Sequence, residues 1–479
     1  MPKKSDKKIT FKLEKIKRKN FITMSKIAQK IGKIVEDLRE KVETDLLEGN
    51  LEGAENKSWD CMLELHGLLM SESLNKVGQS KAFKEKLAES YASEGVSDLR
   101  LRNYQLQLKN GEWIEIKSYY ARQIGKDFGL DSRHLSKHYW SILKNISLSH
   151  ASVLSAFGVM SCSFEIGKEL LQLVGIKTNA NRIRKVATSY GKLTEDQGVK
   201  ALLKKGESLA GKRVVIGIDG GRSRMRETKE SRSKKGYTEY DTPWREPKII
   251  VIQEINKAGE MEKKLSLPLY LGTLKSTKQT MAKLKSAMKT LHIDQAEIIQ
   301  FIADGAPAIW SRIKPLFRQL KIPFSKVVLT LDYYHAVEHL KELSKLLPCS
   351  QEEQQKAFNK WKADLWEGLA RGIVRNFKKR IKQSKTTLNQ EMKTALNYFY
   401  KHHDRMQYKS FKRRKLLCGS GLVESAVRRI INLRFKGSST FWLKENLEKL
   451  IVLRCVFLAK RWTILLNNNK LALKKIDTV

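Results

Sequence analysis

Four acidic residues occupy positions where phosphate chemistry could be done. Asp219 ends the apolar run "RVVIGID", Asp304 ends "IIQFIAD" and Asp332 ends "VVLTLD". Glu424 lies in "GSGLVESAVRRIINLRF", on or beside the apolar stripe of a helical pattern that includes Val427 and Ile431. One Asp at a strand end is an ordinary turn residue. Three such ends, two of them followed by glycine, are harder to assign to turn chemistry alone. Gathered carboxylates repel one another and need cations. Hard divalent ions such as Mg²⁺ or Mn²⁺ prefer oxygen ligands, and two of them about 4 Å apart can stabilise both the attacking and the leaving oxygen of an in-line phosphoryl displacement. For Glu424 the competing reading is an exposed i,i+4 pair with Arg428, worth a few tenths of a kcal/mol.

What surrounds the first acid points the same way. After Asp219 come Gly220 and Gly221, small enough to let backbone or phosphate approach, and then a comb of cations from Arg222 through Arg224 and Arg226 to Lys235. A phosphate rail and a mobile solvated loop are both consistent with the comb. The whole chain is basic: 93 Lys and Arg against 51 Asp and Glu in 479 residues, a formal +42. That field attracts polyanions, nucleic acid first and an anionic membrane surface second. No apolar run is long enough to span a bilayer, and the basic N-terminus lacks the apolar stretch of a signal peptide. Cys61, Cys162, Cys349, Cys418 and Cys455 form no CxxC pair, which argues against a disulfide framework and a cysteine-rich zinc site. A cytoplasmic protein is expected.

The elements that must hold these acids read as follows. The first twenty residues are a basic tail or a DNA-contacting arm, and helical periodicity runs on to about Ser97. "RNYQLQLKNGEWIEIKSYY" predicts a hairpin with a type I′ turn at Asn110-Gly111. Helical patterns return from Asp131 to Leu203. Within them Gly175 breaks one helix, and Thr178 or Asn179 caps the next. That next helix offers Asn181, Arg182, Arg184 and Lys185 near its start, where a helix-turn-helix places base-reading residues; an ordinary helical hairpin fits equally. From Arg213 the texture alternates. Strands are predicted at Val214–Ile218, Lys248–Ile255, Leu265–Leu271, Ala296–Ala303 and Lys326–Leu331, the second and third forming an antiparallel hairpin about Asn256–Gly259. Helices are predicted near Lys275–Leu291 and Ala306–Leu320, making a mixed five-strand sheet. Tyr333 to about Arg414 is helical and charged, and a last helix runs from about Gly421 to Lys436.

Strand, Asp, antiparallel hairpin, helix, strand, Asp, helix, strand and a late helix with Glu is an order that resembles the RNase H-like core of DDE transposases. "DGGRSRMRE", "WREPK", "FIADGAPAIW", "LDYYHAVEHL" and "GSGLVESAVRRIINLRFKGSSTFW" are similar to segments of bacterial insertion-sequence transposases, most closely between about Gly211 and Trp462. The resemblance implies that Asp219, Asp304 and Glu424 are the catalytic metal ligands. Asp332 and His335 resemble the accessory C/DxxH motif of the Mutator-like branch, and the stretch before Glu424 resembles that branch's all-helical insertion. It further implies two Mg²⁺ or Mn²⁺ ions, terminal inverted repeats and target DNA as substrates, a homo-oligomer in the active complex and a bacterial, nucleoid-associated location.

The expected organisation is an α/β RNase H-like domain with an all-helical insertion behind a mainly helical DNA-binding region containing a β-hairpin. Its parts are a basic helical region over 1–100, a hairpin and possible helix-turn-helix region over 101–205, core over 206–335, insertion over 336–415, core with the Glu helix over 416–465, and a tail over 466–479. Arg413 and Arg414 in "KSFKRRK" lead into the Glu424 segment and, with Arg428, are further candidates for DNA contact. "HAVEH" (His335–His339) also fits a zinc-peptidase pattern, which the cationic context disfavours. Trp361, Trp366, Tyr398, Phe399 and Tyr400 are expected in the insertion's core, and Trp442 against the last helices. A DNA nuclease that never joins strands and an inactive DNA-binding derivative are the alternative functions.

Overall fold

The computed structural model describes residues 26–123, 134–232, 238–261, 266–438 and 440–474. The expected basic tail or arm over the first twenty residues, the end of the cation comb at Lys235 and the last five residues lie outside them. The chain divides into two compact units, one drawn from Met1–Val153, Glu165–Arg182 and Leu473–Val479, the other from Leu154–Phe164 and Ile183–Ala472.

The first unit opens with helices α1 (Lys26–Leu47), α2 (Leu51–Gly78) and α3 (Lys81–Ser90). The Asn50 side chain caps α2 through the Gly53 N–H, and Ser80 caps α3 through Phe83. Strands β1 (Ser97–Gln107) and β2 (Trp113–Gln123) pair antiparallel, and the short helix α4 (Leu135–Tyr139) follows. The alternation read from the sequence holds: Tyr104, Leu106, Ile114 and Ile116 share one buried cluster, while Tyr119 and Ala121 join Phe83, Leu87 and Leu135 in another. Asn75 ties α2 to β2 by donating to the Glu115 carbonyl and accepting the Lys117 N–H. The expected type I′ turn is not formed. Gln107 pairs with Trp113, leaving a longer connection, and of Asn110 and Gly111 only the glycine has positive φ. A type I′ turn needs both. The physical reason is burial: the Asn110 amide is inside, donating to the Leu63 carbonyl and to Glu112.

Helices α5 (Leu148–Met160), α6 (Phe164–Leu173) and α7 (Ala180–Gln197) come next. Gly175 takes φ +77° at the break, and Asn179, the second of the two expected caps, accepts the Arg182 N–H at 2.8 Å.

The second unit is built on a mixed sheet of β3 (Arg213–Gly220), β8 (Lys248–Ile255), β9 (Leu269–Thr273), β10 (Ile298–Ala303) and β11 (Val327–Leu331), in the order β11-β10-β3-β8-β9. β10 runs parallel to both neighbours; β3–β8 and β8–β9 are antiparallel. Its strands are buried over nearly their whole length, as expected where both faces are covered. β9 starts later than expected, after Pro268, whose missing N–H suits a position before the ladder. Between β3 and β8 the described part of the cation comb forms ribbons: β4 (Ser223–Arg224) pairs with β7 (Trp244–Arg245), and β5 (Glu227–Arg232) with β6 (Thr238–Asp241).

Helix α8 (Thr277–Thr290) links β9 to β10, and α9 (Pro307–Gln319) links β10 to β11. Then come α10 (Tyr333–Lys345), α11 (Gln351–Trp366), α12 (Ala370–Gln383), α13 (Gln390–His402) and α14 (Tyr408–Arg413). Trp361 and Phe399 are fully buried among them, but Tyr400 is 60% exposed and corrects the expectation that it is core. The late helix forms over nearly the expected span: α15 (Gly421–Val427) continues through a π turn at Arg428–Asn432 into α16 (Leu433–Phe435). Two further helices close the unit, α17 (Lys444–Leu458), buried along most of its length, and α18 (Trp462–Lys474). Trp442 packs edge-to-face on Phe435. Two buried arginines cap the end of α5: Arg434 donates to the Gly158 and Cys162 carbonyls, and Arg454 to Val159.

Candidate active site

The register of the sheet decides where the acids fall. Ala303 on β10 is aligned with Ile218 on β3 and with Leu331 on β11. Asp304, Asp219 and Asp332 are the next residue in each case, so three carboxylates leave the same edge of three adjacent strands, spaced about 4.8 Å per strand. Ligands gather at this edge of an open α/β sheet.

Glu424 is brought to that edge by packing. α15 lies on β3 at Gly217, where a β-carbon would stand 3.0 Å from Val423 Cβ; glycine lets the helix approach. Gly220 and Gly221 do a similar job, and not the one expected of them: the space a β-carbon would take is filled by Glu246 and by Ile431, not left open to phosphate. The segment before α15 is tied to the sheet by buried Gln300, which donates to the Leu417 carbonyl at 2.6 Å and accepts the Leu417 N–H at 3.0 Å. The alternative Glu424–Arg428 ion pair is not formed. Exposed Glu424 accepts the Ser420 hydroxyl, and Arg428 is exposed on the π turn.

Asp332 is the hub. It is 0% exposed and caps α10, accepting the His335 N–H at 2.7 Å, with the His335 ring nitrogen Nδ1 at 3.1 Å; its other oxygen accepts the Ser420 N–H. Burial raises this carboxyl, but the bonds from His335 and Ser420 outweigh it and hold Asp332 below its ordinary value. In return the hydrogen bond to Asp332 lifts His335 to about 9, so the ring is a cation at neutral pH. Burial pushes Asp219 up to about 6, with Asp304 and Glu424 adding to the effect and the Gly220 N–H and His335 opposing it. Asp304 is half-buried, its Oδ1 accepting the Ala306 N–H at 3.0 Å while its carbonyl holds the Trp310 indole. Asp332, His335 and Glu424 each offer a ligand atom within 4.8 Å of one another. His339, the second histidine of "HAVEH", is outside that group and packs against the Tyr398 ring at 3.9 Å.

Tyr398, expected in the insertion's core, is a wall of the site. Its ring occupies the space beside Gly305, where a β-carbon would be 2.6 Å away, and its hydroxyl is buried without a hydrogen-bond partner among the described residues. Burial, together with the charges of Asp304 and Asp332, pushes its phenol well up. Gln300 and Ser420 are site residues beyond those the sequence suggests. "SGLVE", with a hydroxyl one turn before the acid, is the signal available for Ser420; nothing local marks Gln300 or Tyr398, since their partners lie on other elements.

Of the candidate DNA contacts, Arg222, Arg226, Arg413 and Arg414 are exposed and Arg224 is half-buried. Arg182 is engaged within its own unit, bonding Gln107 at 3.0 Å and lying 5.1 Å over the Trp113 ring. Asn181 and Lys185 are exposed near the start of α7, and Arg184 is half-buried.

No family model matches the chain, and no curated protein matches it. Among solved structures it is similar to the Drosophila P element transposase strand transfer complex, at 10% identity over 65% of this chain and 78% of that one, with a TM-score of 0.25. A likeness of that size defines no shared fold. No helix among the described residues is long and apolar enough to cross a membrane.

Proposed function

We propose that the protein is a DDE transposase of a bacterial insertion sequence, cutting element ends and joining them to target DNA by divalent-metal-dependent phosphoryl transfer. One observation carries the reading: Asp219, Asp304 and Asp332 are register-matched at one edge of a sheet ordered β11-β10-β3-β8-β9, with Glu424 delivered there by a late helix. This order and an all-helical stretch between β11 and α15 are what an RNase H-like core of the Mutator-like branch would have.

The donor set fits hard divalent ions. Asp219, Asp304 and Glu424 would hold a pair of Mg²⁺ or Mn²⁺ ions.

 

Asp332 is a poor first ligand, because both its oxygens already accept hydrogen bonds from His335 and Ser420. Held by Asp219, Asp304 and Glu424, a divalent pair would supply Lewis acidity and lower the cost of forming hydroxide for in-line attack. The chain does the rest. Asp332 positions Glu424 through Ser420 and keeps His335 charged beside the acids. Tyr398 closes the flank of Asp304 against water. Arg222, Arg224, Arg226, Arg413, Arg414 and Arg428, together with Asn181, Arg184 and Lys185, hold the phosphate backbone. The freed 3′-hydroxyl then attacks target DNA, with no covalent enzyme intermediate. A cytoplasmic, nucleoid-associated protein acting as a homo-oligomer on terminal inverted repeats completes the proposal.

The test is Mg²⁺-dependent nicking and joining of DNA carrying the ends that flank the gene, with Asp304→Asn and Asp332→Asn beside the wild type. Joining by the wild type, abolished in Asp304→Asn and only reduced in Asp332→Asn, is the expected result. Cutting without joining makes the protein a nuclease. A dead Asp332→Asn beside an active Asp304→Asn redraws the ligand set around Asp332, His335 and Glu424. No metal-dependent cutting leaves a DNA-binding protein.

A further inference from the structure

The ribbon that follows Asp219 carries a feature the metal chemistry does not use. β4 pairs with β7, setting Arg224 opposite Trp244, and on its other side the chain at Trp442 joins as a third strand: the Trp442 N–H donates to the Arg224 carbonyl at 3.0 Å and the Arg226 N–H to the Trp442 carbonyl at 2.8 Å. Alternation sorts the side chains. Ser223, Met225 and Trp442 turn inward and are 0%, 0% and 7% exposed. Trp244 and Phe441 are outward, 47% and 40% exposed, with the Arg224 guanidinium between them at 5.2 Å and 5.8 Å from the two rings. Next to this row Arg226 lies 3.6 Å over the ring of Tyr240, itself 37% exposed. Large aromatic rings held by arginines and left facing solvent are not explained by burial, since the burial they achieve is partial.

The position limits what such a face can be for. Arg224 is five residues after Asp219 (224 − 219), at most about 18 Å along the chain. Cations alone suffice to hold a duplex by its phosphates, whereas exposed rings offer a stacking surface to bases that have left the duplex.

We infer that the Trp244–Arg224–Phe441 row, continued by Arg226 and Tyr240, is a stacking platform for unpaired bases of a DNA end. This rests on the proposed DNA-cutting function and deepens it: the substrate is an end with a few unpaired nucleotides, not a fully paired one. Stacking on the rings holds the bases, and the arginines hold the phosphates between them.

The experiment measures binding of the full-length protein to three labelled DNAs: a blunt duplex, the same duplex with a short single-stranded extension, and one lengthened by the same number of base pairs. The wild type is expected to favour the single-stranded extension over both others. Trp244→Ala with Phe441→Ala should erase that preference, a loss of roughly fivefold to a hundredfold per stacked base, and leave blunt-duplex affinity and its salt dependence unchanged. Trp244→Phe, which keeps a ring, should retain the preference. A wild type that binds and cuts DNA without favouring the extension overturns the platform alone, as does a preference that survives in the double variant. A wild type that binds none of the three overturns the function and the platform together.

Discussion

Asp219 shows how the proposed metal site would cost the protein stability without its ion. Its folded value of about 6 lies above the ordinary carboxylate value of about 3.9. Between those two values the folded state holds more protons than the unfolded one, so stability falls as pH rises through that window and stays lower above it. Asp219→Asn should therefore raise the melting temperature of the metal-free protein at pH 8, by an amount that corresponds to at most roughly 3 kcal/mol, while abolishing metal-dependent cutting. Added Mg²⁺ should raise the melting temperature of the wild type and not of the variant; equal responses would mean that the ion binds elsewhere. Tyr398 is the second case at this scale. Its hydroxyl has no partner to lose among the described residues, so Tyr398→Phe should not lower the melting temperature. Gly305→Ala should slow cutting, because the new methyl meets the Tyr398 ring next to Asp304. A Gly305→Ala protein with wild-type rates would show that the wall can shift freely.

Among elements, the tie between the sheet and the Glu424 helix matters most. Gln300 on β10 is fully buried and bonded to Thr330 and to both backbone groups of Leu417. Gln300→Leu keeps the volume and orphans the Leu417 N–H and carbonyl, each worth about 1–3 kcal/mol. Urea unfolding should register a loss of a few kcal/mol, and cutting should fall further than stability alone explains because α15 loses its anchor. A neutral Gln300→Leu would show that water replaces the amide. The element reading from sequence was good where a local period existed: β8 runs over Lys248–Ile255 as expected, and Asn179 caps α7. At Asn110-Gly111 a buried amide overrides turn chemistry, and within the late helix, whose extent is as expected, no local signal marks the π turn at Arg428–Asn432.

On the scale of the whole molecule, charge and buried histidine set the response to solution conditions. A formal +42 predicts DNA binding that weakens steeply with salt, and neutralising Arg413 and Arg414 should flatten the log–log slope; an unchanged slope removes them from the interface. His150 is fully buried, and burial followed by the nearby Arg182 lowers its value to about 4. The unfolded chain takes up this proton first, near the ordinary 6.5, so stability is lost as pH falls from about 6.5 to 4. The loss from this residue is up to roughly 3 kcal/mol, and His150→Leu should flatten that part of the pH profile of unfolding. A variant as acid-sensitive as the wild type would move the effect to another group.

The sequence by itself determined the strands that end on Asp219, Asp304 and Asp332, the order of elements around them, the excess of cations, and so the expectation of metal-assisted chemistry on a polyanion. Those properties are local: an apolar run, a period, a residue type after a strand. Tertiary structure alone decided that Ala303 aligns with both Ile218 and Leu331, which turns three separate strand ends into one edge. It also decided that Asp332 accepts from Ser420, nearly ninety residues on, and that Trp244, Arg224 and Phe441 form one row. Register and partner choice are settled by which side chains fill a shared core, and no periodicity within one segment encodes the segment it will meet.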